Sequence, residues 1–195
     1  MRNVEKYRNN SIELLKDNDL YEAPVDLKKL ANKLNIDVRY VEFSDETSGK
    51  IKYNYSDDNV VISINKLEFE PRQRFSLAHE LGHYIYDIDF ENNTEIQDTE
   101  QTLFRKDVVN PIEKRANKYA EKLLMPKELF IAEVDRIKKE MFPNLDNKLG
   151  VQRIYQIIEN VADKFQVSKP AAIMRLASVG KISPIMKRKL FGFHY

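Results

Sequence analysis

Arg72-Gln73-Arg74-Phe75-Ser76-Leu77-Ala78-His79-Glu80-Leu81-Gly82-His83 is the stretch on which the reading of this chain turns. Phe75, Ala78, Leu81 and Ile85 recur at helical spacing, and Leu77 widens the apolar face. Pro71 suits the first turn of a helix, where its missing N–H costs nothing. The pattern predicts a helix over roughly residues 71–86. On it His79 and His83 stand at i and i+4 and project from one face. They are two of only three histidines in the chain. Imidazoles so placed can share one Zn²⁺, with Glu80 leaning toward the open coordination position. That arrangement implies metal-assisted hydrolysis of peptide bonds, with Glu80 as the catalytic base. Gly82 is costly in a helix interior and implies a close approach there, of backbone, ligand or packed neighbour.

A catalytic zinc site keeps three protein ligands and one water. Cysteine is absent, and the remaining histidine, His194, is next to the C-terminus. A carboxylate on a second helix is the better source. Pro111 and Pro126 bracket such a helix, with Ile112, Ala116, Tyr119, Ala120, Leu123 and Leu124 as its buried stripe. Glu113 shares a small-residue face with Ala116, Asn117 and Ala120, so it can come close to a neighbouring helix. It is the expected third ligand, set against the alternative of a first-turn glutamate favoured by the helix dipole. Glu121, between Lys118 and Lys122, is the rival and reads as solvated.

Together these residues resemble the ImmA/IrrE family of zinc metallopeptidases. The resemblance runs over residues 72–83, and over Glu113-Lys114-Arg115-Ala116-Asn117 with Tyr119-Ala120 and Leu123-Leu124-Met125-Pro126. It extends to Ser48-Gly49-Lys50-Ile51 and residues 59–65 as a preceding hairpin, and to residues 161–168 with Arg175-Leu176 in a helical C-terminal part. The likeness implies that His79, His83 and Glu113 bind zinc and that Glu80 is the general base. It implies an α+β fold: a zincin-like core over residues 1–130, with a small sheet packed on the motif helix, and a helical subdomain over residues 131–195. It further implies a protein substrate, a helix-turn-helix repressor of a mobile element or stress response. Two alternatives are a toxin held by an antitoxin partner and a non-enzymatic DNA-binding regulator. Asp87 is a departure, since many members carry a histidine there.

Composition sets outer limits. A length of 195 residues suits one domain, and 42% hydrophobic residues can form a core. The net charge of +1 announces neither nucleic acid nor acidic lipid. Zero cysteines excludes disulfides and thiolate ligands. No apolar run suggests a secretory signal or a membrane span, so the cytoplasm is the expected location. Mn²⁺ and Fe²⁺ suit two imidazoles and a carboxylate as well as Zn²⁺ does.

Along the chain, a helix is expected from about residue 2 to 17, and a second after Asp26 as N-cap, ended by Asn35. Val38 to Phe43 reads as a strand. Ile51, Tyr53 and Tyr55 alternate, as do Val60, Ile62 and Ile64, about a Ser56-Asp57-Asp58 turn. An extended substrate could pair with an exposed edge of this hairpin. Asp87 to Glu100 carries six acids and no Lys or Arg. It reads as a solvated loop, or else as a lid that recognises a basic partner. Tyr84 and Tyr86 are candidates for stabilising the oxyanion or for packing. In the C-terminal third, Glu133 to Glu140 is a charged helix and Pro143 to Gly150 a loop. A stripe from Ile154 to Phe165 and a Ser168-capped helix have helix-turn-helix spacing, with Lys169, Arg175 and Lys181 as its exposed cations. Lys187-Arg188-Lys189, Phe191, Phe193 and Tyr195 form a basic, aromatic tail.

Overall fold

The computed structural model describes residues 4–99, 110–143 and 149–192. His194, Phe193 and Tyr195, Glu100, and most of the loop expected between Pro143 and Gly150 lie outside the described residues. The chain divides into two compact units, Met1–Tyr21 with Val25–Leu124, and Glu22–Pro24 with Met125–Tyr195.

The first unit is α+β. Its helices are α1 (Ser11–Asp17), α2 (Leu27–Lys33), α3 (Glu70–Tyr86) and α4 (Pro111–Leu124). Its strands are β1 (Ile36–Val41), β2 (Thr47–Asn54), β3 (Asn59–Asn65) and β4 (Thr94–Thr99). The sheet runs β1-β3-β2-β4, with β1 parallel to β3 and the other pairs antiparallel. Ile51 and Tyr53 of β2 and Val60, Ile62 and Ile64 of β3 are buried. That alternation gives the hairpin one wet face and one face for α3, which packs on β2, β3 and α4.

Three expectations need correction. The first helix does not run from residue 2 to 17. A 3-10 turn at Glu5–Tyr7 ends at Asn9, whose φ is 65°, and Asn10 restarts the chain as N-cap of α1 by accepting from the Glu13 N–H at 3.2 Å. Tandem asparagines offer the backbone a local alternative to the helix. The strand expected at Val38 to Phe43 begins at Ile36, which pairs with Val60. The acidic stretch is not simply a loop: Thr94–Thr99 is a strand, and it takes the side of β2 that the hairpin was expected to leave open.

Gly82 marks where α3 and α4 meet. A Cβ there would lie 3.1 Å from Ala116 Cα and 3.2 Å from its carbonyl oxygen. The close approach anticipated from the sequence is therefore one helix backbone against another. A buried polar clasp ties the start of α3 to β2. Glu68 accepts from Ser48 Oγ at 2.7 Å, and Arg72 reaches both Ser48 Oγ (3.2 Å) and Glu68 (3.4 Å).

The second unit is helical among its described residues: α5 (Lys127–Met141), α6 (Val151–Phe165), α7 (Lys169–Ser178) and α8 (Pro184–Gly192). Phe130 and Phe165 meet at 5.3 Å between ring centroids within its core. Ser168 caps α7 by accepting from the Ala171 N–H, as its position predicts. Arg175, read as an exposed cation, is buried and donates to the Met125 carbonyl at 2.9 Å. Lys169 pairs with Glu159 and Lys181 with Asp135. No helix among the described residues is long and apolar enough to cross a membrane.

Candidate metal centre

Helix α3 buries His79, Glu80 and His83 completely, on the side turned to β2 and α4. The two imidazoles face each other through Nε2, 2.9 Å apart. Each has its other nitrogen engaged by an oxygen. His79 Nδ1 lies 2.9 Å from Asn117 Oδ1, and His83 Nδ1 lies 2.8 Å from Asp87 Oδ2. An amide oxygen and a carboxylate only accept, so each Nδ1 carries a proton, and a neutral ring in this setting presents its Nε2 lone pair. Glu113 arrives from α4, with Oε2 3.2 Å from His79 Nε2 and Oε1 3.7 Å from His83 Nε2.

A fourth group completes the cluster. Asp98, near the end of β4, places Oδ2 3.1 Å from His79 Nε2 and 3.4 Å from His83 Nε2. One ligand atom from each of His79, His83, Asp98 and Glu113 lies within 4.8 Å of all the others. Asp98 Oδ2 and Glu113 Oε2 are buried and outside hydrogen-bonding geometry, although an imidazole is near. Buried acceptors of this kind cost free energy unless something positive satisfies them. The donor set, two imidazole nitrogens and two carboxylates about one point, fits a divalent cation.

Electrostatics favours the same occupant. Burial would lower the His83 pKa, but Asp87, then Asp98 and Glu113, override it and push it up to about 12. His79 moves upward in the same way, chiefly through Asp98 and Glu113 against its own burial. Burial would raise Asp98 and Glu113, yet the imidazoles hold both below the ordinary carboxylate range. The carboxylates thus demand positive charge, but two N–H groups cannot point at one another across 2.9 Å. A single cation between the lone pairs meets that demand without the clash. Glu80 is the exception. Burial, then the charge of Asp98, raise its carboxyl well above the usual range, and neither of its oxygens has a partner in hydrogen-bonding geometry among the described residues.

The motif on α4 gains a residue-by-residue reason. Glu113 faces the imidazoles, Ala116 admits Gly82, and Asn117 fixes the His79 ring. Arg115 pairs with Asp87, which holds His83, so Asp87 serves as the outer partner of that imidazole. Glu121 is not among the cluster residues. Tyr84 packs its ring edge-on to Phe90, and the Tyr86 hydroxyl accepts from the Asn9 N–H at 2.7 Å.

Gly49 of β2 is what lets Glu80 stand where it does. A Cβ at this position would overlap Glu80 Oε1 and come within 3.3 Å of its Cγ. Gly49→Ala should therefore displace the Glu80 carboxyl, while the four cluster residues stay in place. We expect peptide cleavage to fall by about 10²-fold, the usual cost of misplacing a reacting group by an ångström. Metal affinity measured by chelator competition should be unchanged, and a parallel loss of metal would show that Gly49 supports the cluster instead.

A family model described as the IrrE N-terminal-like domain matches residues 31–177, well over half of the chain. No curated protein matches it. A peptidase family and a buried His-His-Asp-Glu group able to hold a metal together support a metallopeptidase-type function. On the extent of that match, the chain belongs to the IrrE N-terminal-like peptidase family.

Proposed function

We propose that this chain is a zinc-dependent endopeptidase that hydrolyses a specific protein substrate, a helix-turn-helix transcriptional repressor. The observation that carries the reading is the meeting of two imidazole lone pairs and carboxylate oxygens at one buried point, with the unpartnered carboxyl of Glu80 beside it. His79, His83 and Glu113 would hold the ion, which when bound supplies positive charge and Lewis-acid activation of water and of the scissile carbonyl. Glu80 does the proton work. It takes a proton from the attacking water as the new C–O bond forms, then returns it to the amine nitrogen as the C–N bond breaks. Asn117 and Asp87 keep both imidazoles in the tautomer that presents Nε2.

The endopeptidase assignment draws on the family and the cluster; the repressor as substrate draws on the family resemblance. The direct test is to incubate the zinc-loaded protein with any helix-turn-helix repressor encoded beside its gene, with and without a chelator. Cleavage at one bond, stopped by the chelator and restored by zinc, is the expected result. An intact repressor under both conditions would remove the substrate assignment.

A further inference from the structure

Four protein ligands close a zinc site, whereas a hydrolytic site leaves one position for water and substrate. Asp98 is the fourth donor, with Oδ2 3.1 Å and 3.4 Å from the two imidazoles, and the strand that delivers it is the outer neighbour of β2. In register Asp98 opposes Gly49, the residue whose backbone lies against Glu80. An extended peptide entering this centre would need the same edge of β2 for its main-chain hydrogen bonds. We propose that β4 is a self-inhibitory strand: it occupies the substrate's pairing position on β2 and caps the metal centre with the Asp98 carboxylate, so that turnover requires β4 to leave.

The proposal rests on the metallopeptidase reading above and adds its regulation. Its physical support is how lightly β4 is held. Among its residues from Thr94 to Asp98, Asp98 alone is buried; Glu95 and Gln97 are exposed, and Thr94 and Ile96 half-buried. The ion pairs from Glu95 to Lys50 (2.6 Å) and Lys52 (3.6 Å) are on the wet face, where such pairs contribute little. The register shifts between Thr47 and Gly49, a bulge that interrupts the pairing beside the cluster. An edge strand without an apolar anchor separates at lower cost than one that builds the core. Beyond its backbone pairing with β2, the Asp98 carboxylate is the one fully buried side chain that holds residues 94–98 in place.

The absence of cysteine allows a clean test. Lys50 and Gln97 are opposed across β2 and β4 with side chains on the face away from the cluster. Lys50→Cys with Gln97→Cys, oxidised, should lock the strand down, and reduction should free it. The probe is acetohydroxamate, a small zinc-binding anion, titrated against the cobalt-loaded full-length protein by visible absorption. We expect the oxidised form to bind it at least about 10-fold more weakly than the reduced form, and Asp98→Ala to bind it at least about 10-fold more tightly than the parent with cobalt content unchanged. Equal affinity in all forms, or loss of cobalt from Asp98→Ala, would overturn the proposal and make Asp98 a permanent ligand. This readout needs no peptide cleavage. Gated hydroxamate binding in a protein that cuts nothing would therefore uphold the strand's role while the endopeptidase reading fell.

Discussion

Glu80→Gln is expected to keep the metal and lose the chemistry. The substitution preserves shape and removes a fully buried carboxyl, next in sequence to His79, that could accept the proton of the attacking water. Cleavage should fall by about 10²–10⁴-fold, the range that a positioned acid–base group supplies. Metal affinity, read by chelator competition, should stay within a few-fold of the parent. A second readout separates this role from a structural one. The Glu80 carboxyl is raised well above its ordinary value of 4.5, first by burial and then by Asp98. A carboxyl whose folded pKa exceeds its unfolded value favours the fold below the unfolded pKa, and that contribution is lost as pH rises through the folded value. The metal-stripped parent therefore carries a penalty that grows above about pH 4.5, and Glu80→Gln lacks it. Thermal melts of the stripped proteins should show the variant losing less stability with rising pH. Normal cleavage by Glu80→Gln would take Glu80 out of the mechanism.

Much of this centre is legible in the sequence. The i, i+4 histidines on an amphipathic pattern, and Glu113 on a small-residue face, are periodic signals, and helices convert period into direction. The structure brings these side chains within 3.7 Å of one another. Asp98 does not stand out in the sequence as a ligand, although a signal for its placement is there. Thr94, Ile96 and Asp98 alternate with Glu95, Gln97 and Thr99, the period-2 pattern of a strand. Counting six acids without following their alternation makes the segment look like a solvated loop. Asp87 was missed for a different reason. It follows the last turn of α3, where sequence alone cannot say that Arg115 from another helix will hold it against His83. Arg175 reads as solvated because it is a cation on a helix, while in the structure it is buried and donates to the Met125 carbonyl. Local periodicity is readable; the contacts that fix Asp87 and bury Arg175 come from other parts of the chain and are not.

Glu113→Gln should have the largest effect on metal binding and on the stability that binding confers. The side chain is buried against both imidazoles, and it is the one cluster member supplied by α4. Replacing the carboxylate by an amide keeps volume and helix but removes a charge and an anionic ligand. Affinity should fall by at least about 10²-fold, beyond the usual effect of changing an outer partner. Linkage makes this visible in a melt. With free zinc at about 1,000 times the dissociation constant, a ligand that binds only the folded state adds about 4 kcal/mol, roughly 8–16 °C for a domain of this size. At the same zinc concentration a 100-fold weaker site adds about 1.4 kcal/mol, roughly 3–6 °C. Glu121→Gln, on the same helix but outside the cluster, should give the parent's full shift. An unchanged shift in Glu113→Gln, with a reduced one in Glu121→Gln, would move the third ligand one helical face away. The arrangement of α4, with Asn117 on His79 and Arg115 on Asp87, argues against that outcome, because both contacts fix the face on which Glu113 stands.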